Sequence, residues 1–209
     1  MEVDYNPQLG YRRTIFQGNY DFLTGISSFE SRRDGLYITA DTYRGEKVPV
    51  KICFFTDTAF RFQMFPDPKI QEGPRPVFSP KLLERAKAGE TEDYYWYKTQ
   101  DTELRFQKNF WEMSVYVQGK LLSKEQVFDT NVDNRWKCLP VGFETDETGN
   151  CIKVRENMYL FSDESFWGLG ERFTELDKRG RRLQCWQKDA LSTNTEDSYK
   201  GHPFFISSR

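Results

Sequence analysis

The side chains that could do chemistry are few and scattered. A Ser-His-Asp or Cys-His relay would have to use His202, the single imidazole among 209 residues. It stands in Lys200-Gly201-His202-Pro203, with neither a G-x-S-x-G elbow nor a cysteine signature beside it, and reads as a partly exposed turn histidine. One histidine and four cysteines without a C-x-x-C pair give no zinc spacing. Gly168-Leu169-Gly170 carries two glycines of a dinucleotide loop but lacks the third, and Glu171-Arg172-Phe173 opens no amphipathic helix. Glycines that allow a tight bend or bulge at a strand end explain it better. Lys178, Arg179, Arg181 and Arg182 surround Gly180, and a solvated hairpin turn fits them better than a nucleic-acid patch. Tyr94-Tyr95-Trp96-Tyr97 could stack on sugar rings, yet rings in a strand alternate faces, so half of them are expected to pack inward. Glycoside cleavage needs two carboxylates, about 5–5.5 Å apart for retention or about 6.5–9.5 Å for inversion. With 32 acidic residues, spacing alone selects no pair.

The elements that would position these groups are strands. Leu36 to Ala40 follows the turn dipeptide Asp34-Gly35, and Val48 to Phe55 and Ala59 to Phe65 flank Thr56-Asp57-Thr58. Glu103 to Gln107, Trp111 to Val117 with its turn into Leu121-Leu122, the pair Leu139 to Thr145 and Cys151 to Arg155, and Pro203 to Ser207 complete the set. Such closely spaced turns with period-2 runs predict an all-β antiparallel sandwich or barrel. Five of the nine prolines fall between Pro66 and Pro80, which predicts an irregular insertion over about 66–93. A short helix over Lys81 to Ala88 is expected inside it, with Ser79 as N-cap and Pro80 at the first helical position.

Composition narrows the function classes. At 209 residues and 37% hydrophobic, the chain suits one domain with a continuous core and falls short of a complete barrel enzyme of about 250 residues. Thirty basic residues balance 32 acidic ones, for a net charge of -2, which gives no electrostatic case for nucleic acid or an anionic membrane as partner. The start Met1-Glu2-Val3-Asp4-Tyr5 lacks a basic n-region and an apolar stretch follows nowhere near membrane-spanning length. Cytoplasmic localisation is therefore expected, with Cys53, Cys138, Cys151 and Cys185 as reduced, half-buried strand thiols. The last strand stops at Arg209 without cap or polar tail, and continuation of the chain is expected.

The segment from Phe166 to Arg209 is more specific. It reads Phe166-Trp167-Gly168-Leu169-Gly170-Glu171-Arg172-Phe173, then Lys178-Arg179-Gly180, Trp186-Gln187-Lys188-Asp189, Ser198-Tyr199-Lys200 and Pro203-Phe204-Phe205-Ile206-Ser207-Ser208-Arg209. In order and spacing it resembles the end of the amino-terminal domain of glycoside hydrolase family 31, most of all the bacterial α-xylosidase branch. The resemblance implies a galactose-mutarotase-like β-sandwich over 1–209, followed by a catalytic (β/α)₈ barrel outside this chain. That barrel would carry both catalytic aspartates of a retaining mechanism, so this segment is expected to hold no catalytic residue, to be inactive alone, and to need no cofactor or metal.

The resemblance further implies an active-site loop over about 177–200 that reaches the barrel mouth. In it Asp189 would accept hydrogen bonds from sugar hydroxyls, with Trp186 and Lys188 beside it as substrate-binding residues. Gln187 departs from the family's usual Asn. The expected partners are an oligosaccharide carrying terminal α-linked xylose or glucose, the protein's own carboxyl-terminal barrel, and neither nucleic acid nor membrane. The sequence does not give the oligomeric state; a homo-oligomer in which the insertion reaches a neighbouring subunit is one option. The alternatives are a stand-alone sugar-binding module using Trp96, Trp167 or Trp186, and a structural sandwich that mediates assembly.

Overall fold

A computed structural model of the chain describes residues 2–6, 11–15, 19–67, 86–108, 110–126, 139–189 and 198–209, with side chains from Tyr20 onward. The chain divides into two compact units, 1–159 and 160–209. Among the described residues there is no helix.

The first unit is an antiparallel β-sandwich. One sheet has six strands in the order β13-β12-β3-β4-β5-β6: Cys151–Arg155, Gly142–Thr145, Asn19–Arg32, Gly35–Thr42, Lys47–Phe54 and Phe60–Met64. The other has five in the order β11-β10-β9-β8-β7: Lys120–Lys124, Met113–Val117, Thr102–Gln107, Tyr94–Lys98 and Lys87–Glu90. A separate ribbon pairs β1 (Glu2–Asn6) with β2 (Tyr11–Ile15). Alternation explains the two-layer arrangement. In β9, Thr102, Leu104 and Phe106 are buried while Glu103, Arg105 and Gln107 are only half-buried.

Leu36, Ile38, Val50, Ile52 and Phe54 from one sheet join Leu104, Phe106, Met113 and Val115 from the other in a single core around the fully buried Trp111. Aromatic rings stitch the layers: Phe29 stacks on Tyr95 at 4.8 Å, Phe54 on Tyr97 at 5.4 Å, and Phe62 meets Trp111 edge-on at 6.3 Å. The four-ring run of β8 divides as its alternation predicts. Tyr95 and Tyr97 face the core, whereas Tyr94 lies under the Arg105 guanidinium and Trp96 covers Gly89.

The expected helix is corrected at its carboxyl end. Lys87 and Ala88 open β7 and pair with Lys98 and Tyr97. Sheet pairing with Gly89 tucked beneath Trp96 outweighs the modest helix preference of Lys and Ala. Ser79 to Arg85 lie outside the described residues, as does most of the Pro-rich stretch, and the sheet resumes at Lys87, inside the expected insertion.

One carboxylate sits in this core. Glu125, 1% exposed, follows β11 and accepts hydrogen bonds from the Met113 N–H of β10 at 2.6 Å and the Val141 N–H just before β12 at 3.0 Å. It thereby ties the two sheets together. Burial pushes its pKa from the ordinary 4.5 up to about 7, against the opposing pull of those two backbone bonds. The Glu156 carboxylate adds to the rise, and the Trp111 indole, whose N–H reaches no acceptor within hydrogen-bond geometry among the described residues, offsets it slightly.

Candidate functional site: the loop carrying Trp186, Lys188 and Asp189

The second unit is built on one short antiparallel pair, β14 (Phe166–Gly168) with β15 (Phe205–Ser207). Gly168, Leu169 and Gly170 take φ of 114°, 65° and 92° in succession. A Cβ on Gly168 would lie 2.6 Å from the Phe204 carbonyl oxygen, and one on Gly170 only 1.9 Å from that of Lys200. The glycines thus permit a close backbone approach, sealed by the Leu169 N–H donating to Phe204 O at 2.7 Å and that of Glu171 to Lys200 O at 3.2 Å. The bend reading of this motif holds, and no phosphate cradle forms.

The basic cluster matches the solvated turn expected of it only in part. Lys178 is buried, and its ammonium donates to Thr174 Oγ1 at 2.8 Å and to the Glu175 carbonyl. Arg179 donates to the carbonyls of Phe161, at 2.7 Å, and Glu164. Arg181 and Arg182 keep the expected surface character, Arg181 paired with the exposed Glu175 at 2.8 Å. Irregular backbone leaves carbonyls unpaired, and long cationic side chains satisfy them from within the same unit. Asp177 does the converse: its carboxylate accepts the N–H groups of Phe166 at 3.0 Å and Arg179 at 2.9 Å, and those bonds hold its pKa below the usual range.

The three predicted substrate residues stand on one backbone segment. Gln187 bridges Ser198 in parallel fashion, and the Lys188 N–H donates to Ser198 O at 3.0 Å. Ser198 is buried and its hydroxyl donates to the Glu171 carbonyl. Trp186 is 71% exposed, and Lys188 and Asp189 are exposed as well. Among the described residues the Asp189 carboxylate makes no hydrogen bond or ion pair. Such a segment can bind hydroxyls and stack on a ring.

A cleft of about 500 Å³ opens nearby in the chain, lined by Trp167, Glu171, Arg172, Phe173, Leu176 and Tyr199. Trp186, Lys188 and Asp189 are not in its wall. Around it the unit exposes large apolar side chains, including Leu176 at 82% and Phe204 at 59%. His202 is exposed and edge-on to Phe204, as a turn histidine should be. Among the described residues no three His, Cys, Asp or Glu side chains gather as a metal site. Cys53 and Cys151 stand in strands outside any disulfide, and Cys138 lies outside the described residues. Cys185 is likewise outside any disulfide but is exposed on the irregular segment before Trp186, not half-buried in a strand.

Comparison with known proteins bears on the family and the fold. Residues 49–209 match the family described as the glycosyl hydrolase 31 N-terminal galactose mutarotase-like domain. Alpha-xylosidase XylQ of Lactiplantibacillus pentosus is 44% identical over 55 residues, which are 26% of this chain and 7% of that protein. Among solved structures, the cycloalternan-forming enzyme of Listeria monocytogenes in complex with a pentasaccharide substrate superposes with a TM-score of 0.74 at 21% identity. The match covers 90% of this chain and 17% of that one. A GH31 alpha-xylosidase from a soil metagenome, complexed with xylose, gives a TM-score of 0.65 at 19% identity over 87% of this chain and 27% of its own. The chain therefore spans well under a third of the length of these relatives. With the family matched over most of its length and the sandwich fold shared, the chain belongs to the glycoside hydrolase 31 amino-terminal galactose-mutarotase-like domains.

Proposed function

We propose that the chain is the amino-terminal domain of a retaining α-glycosidase that removes terminal α-linked xylose or glucose from oligosaccharides. In this reading the sandwich supports a barrel that supplies both catalytic carboxylates, and the segment 177–200 forms one wall of the substrate pocket. The observation that carries it is the exposed row Trp186, Lys188, Asp189, held on a backbone that is itself hydrogen-bonded. The names of two similar proteins, both alpha-xylosidases, support xylose. The exposed apolar side chains of Leu176, Phe204, Phe205 and Ile206 suit coverage by the barrel. A cytoplasmic location, with the thiols reduced, belongs to the same reading.

The test is hydrolysis of aryl α-xylosides and α-glucosides by the full-length protein and its Asp189→Ala variant. A carboxylate accepting charge-assisted bonds from one or two hydroxyls is worth roughly 1.5–3 kcal/mol each. Asp189→Ala should therefore lower kcat/KM by at least about tenfold with folding intact. Wild-type kinetics in that variant would remove Asp189 from the pocket.

A further inference from the structure

The segment 184–188 is bracketed at both ends by one dipeptide, Glu171–Arg172. At the leading end, Arg172 Nη2 donates to the Gln184 carbonyl at 2.8 Å and contacts Cys185 Sγ at 3.7 Å, while its Nε donates to the Leu169 carbonyl at 2.9 Å. At the trailing end, the Glu171 carbonyl receives the Ser198 hydroxyl, and the Ser198 carbonyl receives the Lys188 N–H at 3.0 Å. Gly201 passes within 3.3–3.4 Å, measured from an added Cβ, of the Cys185 and Trp186 backbone, so the segment is closed on that side too.

We propose that Arg172 is a positioning residue for substrate: its guanidinium fixes the backbone leading into Trp186, Lys188 and Asp189 against the glycine bend. This rests on the reading of those three residues as part of the pocket. The chemistry favours arginine specifically. Two N–H groups of one rigid plane reach two carbonyls fifteen residues apart in sequence, which sets both distance and angle between the bend and the loop. A lysine offers a single mobile point charge and cannot hold both carbonyls in a fixed relation. Neither carbonyl belongs to a strand, so each would otherwise look to solvent. The Glu171 carboxylate plays no part in the bracket; it pairs with Lys200 at 3.0 Å on the exposed surface.

The experiment is a double-mutant cycle in the full-length protein, with kcat and KM measured separately on aryl α-xyloside and α-glucoside. Displacement of a positioning loop by about 1 Å costs up to roughly a hundredfold. Arg172→Ala should therefore lower kcat/KM about 10- to 100-fold, and Arg172→Lys nearly as far. Because the effect travels through the loop, Arg172→Ala placed on Asp189→Ala should cost less than about threefold more. Hydrogen exchange of the 183–189 amides should rise in Arg172→Ala while that of β4 and β5 stays unchanged.

Equal losses from Arg172→Ala on the wild-type and Asp189→Ala backgrounds would overturn the proposal, as would wild-type kinetics for both Arg172 variants. Global loss of thermal stability in Arg172→Ala and Arg172→Lys alike would overturn it in favour of a purely structural arginine. Wild-type kinetics in Asp189→Ala beside impaired Arg172 variants would instead bring down the pocket reading itself, and this proposal with it, by a recognisably different pattern.

Discussion

The buried carboxylate between the two sheets makes a quantitative prediction about pH. Glu125 is 1% exposed and its pKa rises from 4.5 to about 7. The folded state thus binds the Glu125 proton more tightly than the unfolded chain does. Between pH 4.5 and about 7 the unfolded state has lost that proton and the folded state has kept it, so stability falls as pH rises through this window and levels off above it. At about 1.4 kcal/mol per pKa step, the loss attributable to this one group is roughly 3 kcal/mol. Glu125→Gln removes the titration. The amide oxygen can still accept one of the two N–H groups, from Met113 or Val141. Its NH₂ then faces the other, and leaving that donor unpaired costs about 1–3 kcal/mol. The variant should be less stable than wild type at pH 5 and as stable or more so at pH 8. Urea unfolding at pH 5, 6, 7 and 8 checks this, and the difference between the two profiles cancels every other titrating group. Parallel profiles, with the wild-type and variant curves offset equally at all four pH values, would refute the reasoning.

Two further perturbations probe the packing. Gly170→Ala places a methyl 1.9 Å from the Lys200 carbonyl at a φ of 92°, so the β14–β15 pair should separate and limited proteolysis should cut within 160–209 first. Resistance equal to wild type would show that the approach at Gly170 is dispensable. Trp111→Ala removes a fully buried ring that meets Phe62 and Phe106, and should cost about 3–5 kcal/mol in denaturant unfolding.

How far the sequence displays this structure depends on the element. β9 is legible because Thr102, Leu104 and Phe106 alternate strictly with Glu103, Arg105 and Gln107. The turn between β10 and β11 is legible because Gln118-Gly119 supplies two positive φ angles. The fourteen-residue β3 escapes, because register shifts between Leu23 and Gly25 and between Ile26 and Ser28 reset its phase and erase any period of two. β7 is misread as the end of a helix because its residues favour helix locally and only the pairing with β8 decides otherwise.

The site is less legible still. Asp189 is visible through family resemblance alone, since one exposed carboxylate among 32 has no local signature. Arg172, Lys178 and Arg179 are invisible as loop holders because their partners are backbone carbonyls, which every residue possesses. The hint available is density: four cations around Gly180 and an arginine directly after a double-glycine bend, in a segment with little regular structure to satisfy its own backbone.

The most direct test of the central claim is a crystal structure of the full-length protein with a bound xylose- or glucose-containing oligosaccharide. The account predicts Asp189 within about 2.6–3.2 Å of a sugar hydroxyl, Trp186 against the sugar, and both catalytic carboxylates contributed by the barrel. A sugar bound away from Asp189 and Trp186, with the 177–200 segment remote from the catalytic carboxylates, would contradict it.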